Sequence, residues 1–135
     1  MASVLVDTSA IFALLNPEDD HHRKAVAVNE VLIRRKVALV LPNFLLAESH
    51  AIINKRLGAP SARAFLHAAL QDYDIERVTL EDEWAAQAIL QHPGKTAGVS
   101  YFDAVAAALA ERLQIHEIFT FDRHFTLLGF KAAGA

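Results

Sequence analysis

The chain has 135 residues, 53% of them hydrophobic, no cysteine, and thirteen Lys and Arg against sixteen Asp and Glu, for a net charge of −3. A chain of this length and apolar content reads as one domain over residues 1–135, able to bury roughly two-thirds of its unfolded surface, which excludes disorder. The missing cysteine excludes disulfides and thiolate metal sites, no apolar run reaches the roughly 18 residues of a membrane span, and the mild negative charge is no nucleic-acid footprint by itself. The N-terminus has no basic segment leading into a long apolar core. No signal peptide is expected, and the cytoplasm is the default compartment.

In chain order, Ala2 to Val6 is short, apolar and β-branched and predicts a buried strand. Thr8 to Asn16 predicts a short helix stopped by Pro17, and Asp19-Asp20 caps a longer one running to about Lys36. Val37 to Leu41 is a second buried strand, closed by Pro42. Helical periodicity then runs from Asn43 to Leu57, Gly58 ends it, and Ala59-Pro60-Ser61 restarts a helix to about Gln71. A strand is expected over Ile75 to Val78, followed by a helix capped at Thr79 with Asp82 in the capping-box position. His92 to Gly98 reads as a loop, Tyr101 to Leu113 as a helix, Glu117 to Phe121 as a strand, and Arg123 to Leu128 as a short closing helix. Continuously apolar strands alternating with helices predict an α/β fold, a parallel Rossmann-like sheet flanked by helices. Ligands of such sheets bind beyond the carboxyl ends of the strands.

Four acids stand where acids are least expected. Asp7 ends the first strand, Asp122 ends the last, Glu48 interrupts the apolar run from Phe44 to Ile53, and Asp103 opens an alanine-rich helix. Phe44, Leu45, Ala51 and Ile52 lie three or four residues from Glu48, so its carboxylate falls within an apolar stripe, where an unpaired charge is costly. The other three have simpler explanations as helix caps: Asp103 pairs with Ser100 in a capping box, and Asp7 and Asp122 precede helices. As a set converging on one sheet edge, the four repel one another unless a divalent cation sits among them. Without them thirteen basic residues face twelve acidic ones, a balanced surface that need not repel a polyanion. Arg23-Lys24, Arg34-Arg35-Lys36 and Lys55-Arg56 read as solvated helix faces or ends.

The histidines give no ligand spacing. Asp19-Asp20-His21-His22 resembles a metal cluster, but adjacent helical residues point apart, and an acidic helix start is the simpler reading. His50, His67, His92, His116 and His124 read as surface or core-edge residues. Gly94-Lys95-Thr96 looks like the end of a phosphate-binding loop, yet Ile89 stands where that motif needs its first glycine. An all-carboxylate donor set favours Mg²⁺ or Mn²⁺ over zinc.

Val4-Leu5-Val6-Asp7-Thr8-Ser9-Ala10, Leu46-Ala47-Glu48, Asp103-Ala104 and Thr120-Phe121-Asp122-Arg123-His124-Phe125 together resemble a PIN-domain ribonuclease, specifically the VapC toxins of toxin–antitoxin pairs. The resemblance covers essentially the whole chain, and its specificity lies in the ordered set. It implies that Asp7, Glu48, Asp103 and Asp122 line a site for one or two Mg²⁺ or Mn²⁺ ions, Asp7 and Asp103 most directly. Thr8 or Ser9, and Thr120, would orient the carboxylates by hydrogen bonds. It implies as well an RNA substrate, a homodimer and an antitoxin whose tail enters the active-site groove. Lys55, Arg56, Lys95 and Arg123 are candidates for substrate contact, with Arg123 the first to test. Within the same class a stand-alone RNA-processing nuclease remains open, and outside it a non-catalytic domain whose acids bind a basic tail. A receiver domain fits poorly, since Thr8-Ser9 follows the first strand where an acidic pair is wanted, and a haloacid-dehalogenase phosphatase would want Asp at Ser9.

Overall fold

The computed structural model describes residues 2–92, 94 and 96–134. The chain runs β1 (Ser3–Val6), α1 (Thr8–Leu15), α2 (His22–Arg35), β2 (Ala38–Pro42), α3 (Asn43–Leu57), α4 (Ala59–Asp72), β3 (Asp74–Glu76), α5 (Leu80–Leu90), α6 (Tyr101–Arg112), β4 (Glu117–Phe119), α7 (His124–Leu127) and β5 (Lys131–Ala132). The strands form one five-stranded sheet in the order β3-β2-β1-β4-β5. Every pairing is parallel, and the central β1 carries the apolar run of a strand buried on both faces, while the edge strands β3 and β5 do not. Among the described residues no helix is long and apolar enough to cross a membrane.

The order matters for function. From β1 the chain crosses outward to β2 and β3, then returns past β1 to lay down β4 on its other side. The connections therefore diverge between β1 and β4, and the crevice of an open parallel sheet opens at such a switch point. Leu5 pairs with Ile118 and Val6 with Phe119, so the residues that follow these pairs, Asp7 and Thr120, leave the sheet side by side. The Asp7 amide still donates to the Phe119 carbonyl at 3.0 Å.

The core is built on β1, where Val4 and Leu5 are fully buried and Val6 nearly so. Burying each such side chain contributes about 1.5–3 kcal/mol relative to leaving it in water. Helix α6 is buried almost all round, from Ala104 to Ala110. Ala106, Ala107, Leu109 and Ala110 join the main core, while Ala104, Val105 and Ala108 pack with Ala86 of α5. Small side chains let α6 lie between sheet and α5, which brings Asp103, at its start, to the sheet edge. Gly58 joins α3 to α4 with φ 97° and ψ 163°, a conformation essentially reserved for glycine.

Several expectations shift. Asp19 and Asp20 do not cap α2: its N-cap is His21, without a side-chain hydrogen bond. Asp19 Oδ1 instead accepts from the His21 amide at 2.8 Å, and Asn16 Oδ1 from the Glu18 amide at 3.1 Å, so these residues build a polar turn ahead of the helix. The third strand is Asp74–Glu76 rather than 75–78, because Val40, Leu41 and Pro42 of β2 pair with those residues. The fourth strand stops at Phe119, and the two-residue β5, with no apolar run to announce it, pairs at Glu117 and Ile118. Of the expected loop over residues 92–98, Pro93 and Lys95 lie outside the described residues.

Candidate active site

Beyond the carboxyl ends of β1 and β4 lies an open cleft of about 540 Å³ whose walls include Asp7, Glu48, Asp103 and Asp122. Four segments distant in sequence thus bring the four predicted acids to one place.

Asp7 forms the floor. It is 6% exposed and occupies the N-cap position of α1, yet its side chain makes no capping bond there. Oδ2 accepts instead from Ser9 Oγ at 2.7 Å and from Thr120 Oγ1 at 2.9 Å. Ser9 Oγ in turn accepts from the Phe121 amide at 3.0 Å, and Thr120 Oγ1 from the Asp122 amide at 2.9 Å. The two hydroxyls thereby lock the ends of β1 and β4 into one polar network. Burial pushes the Asp7 carboxyl above the usual range, hydrogen bonds from Ser9 and Thr120 oppose that, and the charge of Asp122 adds to it.

Of the expected pair, Ser9 orients the carboxylate and Thr8 does not. The Thr8 hydroxyl turns toward α3, where Ser49 Oγ lies 3.1 Å away and the Leu45 carbonyl 3.5 Å. It joins α1 to α3 rather than steering an acid.

Asp103 serves two purposes at once. Its amide donates to Ser100 Oγ at 3.1 Å and its Oδ2 faces the Ser100 amide at 3.5 Å, completing the capping box. It also lines the cleft, and its carboxyl is pushed up to about 6, first by burial and then by the charges of Asp122 and Asp7. Asp122 stands one residue ahead of Arg123, the N-cap of α7, and its Oδ1 accepts from the His124 amide at 2.9 Å in a turn that precedes the helix. The capping explanation holds for Asp103 and not for Asp122, and both acids line the cleft.

Glu48 differs from expectation. The buried stripe of α3 runs through Leu45, Ser49 and Ile53, one residue out of phase with Glu48, so this carboxylate is half-buried at the rim. Its position does not need a partner to offset deep burial. Arg123 is exposed and does not line the cleft, and Lys55 does not line it either. Arg56 does, with its guanidinium 5.5 Å from the centroid of Phe12. Lys95 lies outside the described residues.

His21, the N-cap, and His22, the first residue of α2, point apart. His21 lines the cleft and stacks on Phe121 at 4.5 Å, while His22 Nδ1 lies 2.7 Å from the Ala13 carbonyl. The residue that sequence reasoning missed is His124. Its Nδ1 stands 2.8 Å from Asp122 Oδ1 and 3.7 Å from Asp103 Oδ2. The available signal was its place two residues after Asp122, at the start of a helix that has to turn back over the sheet edge.

These residues fit a divalent cation. One ligand atom from each of Asp103, Asp122 and His124 lies within 4.8 Å of the others. Burial lifts Asp103 most, and the further push from the charges of Asp122 and Asp7 marks negative charge that a cation relieves. A raised folded-state pKa means that between about pH 4 and 6 the native state holds a proton that the unfolded state has lost. Stability from Asp103 is therefore complete below the unfolded pKa and is lost as pH rises through about 6. The metal-free protein is expected to melt lower at pH 7.5 than at pH 5 on this account. Asp103→Asn flattens that dependence, and Mn²⁺ or Mg²⁺ raises the melting temperature of the wild type at pH 7.5. Thermal melts across this pH range, with and without metal, provide the check.

The PIN domain family model matches residues 4–131. The chain belongs to the PIN domain family. Among solved structures it is similar to VapC20 of Mycobacterium tuberculosis, a sarcin–ricin loop cleaving toxin, at 28% identity and a TM-score of 0.79, covering 94% of this chain and 95% of that one. FitAcB from Neisseria gonorrhoeae shares the fold at 21% identity and a TM-score of 0.71, over 96% of this chain and 95% of that one. VapBC2 from Rickettsia felis, solved bound to a fragment of promoter DNA, shares it at 12% identity and a TM-score of 0.71, over 96% of each chain. No curated protein sequence matches this chain significantly. The resemblance drawn from four short segments is thus upheld as a PIN domain with VapC-like relatives in structure. Its sheet, switch point and acid-lined cleft are those described above.

Proposed function

We propose that this PIN domain is a Mg²⁺- or Mn²⁺-dependent endoribonuclease, the toxin of a VapBC-type toxin–antitoxin pair. The observation that carries the reading is the convergence of Asp7, Asp103 and Asp122 on one open cleft at the switch point between β1 and β4. Asp7 and Asp103 are its principal metal ligands, and Asp122 and Glu48 assist directly or through water. Ser9 and Thr120 fix the Asp7 carboxylate through Oδ2 at the cleft wall.

A divalent cation bound there supplies Lewis acidity toward the phosphodiester and lowers the pKa of an attacking water. The protein's own share is to hold the acids at fixed orientation and keep the cleft open to a chain-like substrate. Its side chains also set a cationic Arg56 along the wall. Likeness to VapC20 supports RNA as substrate and the toxin role. An antitoxin partner, a homodimer and a cytoplasmic location follow from the same family reading.

Purified protein incubated with total cellular RNA and Mg²⁺ or Mn²⁺ is expected to yield discrete fragments that EDTA abolishes. Intact RNA from folded, metal-loaded protein incubated with ribosomes and tRNA would count against the assignment and favour a binding domain.

A further inference from the structure

We propose that His124, through Nδ1, is a nitrogen ligand of the cation held by Asp103 and Asp122, and that it biases this centre toward Mn²⁺ over Mg²⁺. The inference rests on reading the cleft as a metal centre and adds a donor of a different kind to it.

The geometry is specific. His124 opens α7, and its amide is anchored on Asp122 Oδ1 at 2.9 Å, which fixes its backbone beside the acids. Its Nε2 faces Gly98, where a Cβ would stand only 3.1 Å away. The glycine leaves just enough room for that edge, which turns Nδ1 inward. Nδ1 is buried and stands 2.8 Å from Asp122 Oδ1, yet it makes no hydrogen bond. The short distance and the missing bond are consistent, because the oxygen lies off the direction in which a ring N–H points.

Two arrangements place a ring nitrogen among carboxylates. An imidazolium counter-ion would donate a short, well-directed, charge-assisted bond to one of them. A neutral imidazole would instead present its lone pair to a cation shared with the carboxylates. The undirected contact with Asp122, and the clustering of all three ligand atoms within 4.8 Å, favour the second. The consequence is chemical selectivity. Mg²⁺ prefers oxygen and keeps its waters, whereas imidazole suits the first-row transition ions. A site of carboxylates alone would discriminate less.

The test is pulsed EPR on the protein carrying one equivalent of Mn²⁺, read alongside equilibrium metal titrations. The wild type is expected to show the ¹⁴N modulation of a directly bound imidazole, and His124→Gln to lose it. In the titrations His124→Gln is expected to weaken Mn²⁺ binding about tenfold or more while changing Mg²⁺ binding less than about threefold. Mn²⁺ that binds in an Asp103-dependent way without nitrogen coupling overturns the histidine ligand and leaves the metal centre standing. Failure of Mn²⁺ to bind at all overturns both. His21 also lines the cleft, so His21→Gln, expected to keep the nitrogen coupling, assigns that coupling to His124 even if His124→Gln folds poorly, and its loss there overturns the assignment.

Discussion

Asp7→Asn is expected to lower metal-dependent RNA cleavage by at least about 10³-fold, equivalent to roughly 4 kcal/mol of transition-state stabilisation, while the fold persists. The first half follows from the place of Asp7 at the floor of the cleft, with a single oxygen, Oδ2, taking both the Ser9 and the Thr120 hydroxyls. A neutral amide in place of the carboxylate is a far weaker ligand for a hard cation. The second half follows from burial. The carboxyl is pushed above its usual range chiefly by desolvation, so the native state tolerates the charge rather than depending on it. Asparagine can still accept both hydroxyls through its carbonyl oxygen, so no donor of the network is orphaned.

The sign of the stability change can be stated. A carboxyl raised in the folded state destabilises that state as pH rises through the unfolded and then the folded pKa. Removing the charge should therefore leave the melting temperature at pH 7.5 unchanged or higher. Cleavage assays with total RNA and far-UV circular dichroism melts on the same preparations check both halves. Full activity in the variant, or its collapse to an unfolded chain, would sink the assignment of Asp7. Asp7→Ala is the less informative change, since it strips two buried hydroxyls of their acceptor as well as removing the ligand.

Much of this arrangement is legible in the sequence, for identifiable reasons. Helices announce their ends with residues that have few other uses, and Thr79 with Asp82 and Ser100 with Asp103 are both realised as full capping boxes. Buried parallel strands leave apolar runs, so β1, β2 and β4 are visible, whereas β5 is two residues long and exists only through pairing with β4. The four acids are visible as exceptions within apolar elements. Their relative depth is not visible, because it turns on helical phase: one residue separates half-buried Glu48 from buried Ser49. His124 escaped for a different reason. Nothing local distinguishes a histidine beside an acid from a solvated side chain, and only the approach of its ring to both Asp122 and Asp103 gives it a site. Arg123 misled in the opposite sense, since adjacency to Asp122 along the chain places it outside the cleft.

The largest effect on stability is expected away from the site, at Arg112→Met. Helix α5 buries little of its own: Leu80 and Trp84 are each 64% exposed, and its buried residues are Asp82 and Ala86. Its attachment to α6 therefore leans on Asp82, only 2% exposed, which meets Arg112 through Nε at 2.8 Å and Nη2 at 3.1 Å. The same carboxylate accepts from the Thr79 amide at 2.9 Å. Burial alone would raise the Asp82 carboxyl, but the bonds from Arg112 and Thr79 outweigh it and hold it below the usual range. Removing Arg112 leaves that buried charge with its cap alone. Charge-assisted bonds of this kind contribute about 1.5–3 kcal/mol, and breaking a fully buried pair costs about 3–5 kcal/mol. With a third of the Arg112 side chain in solvent, a loss of about 2–3 kcal/mol is expected, a fall in melting temperature of roughly 8 °C or more. A lowered folded-state pKa contributes stability above the unfolded pKa and loses it as pH falls. The variant should accordingly differ most from the wild type near neutrality, and the two should converge in acid. Asp82→Asn in the Arg112→Met background removes the stranded charge and is expected to recover part of the loss, whereas Asp82→Asn alone should not stabilise. Asp103 sits at the far end of α6 under its own Ser100 cap, so metal-dependent cleavage at 25 °C should survive Arg112→Met even as the melting curve moves. A variant that melts like the wild type at pH 7 would show that α5 is held by its apolar contacts after all.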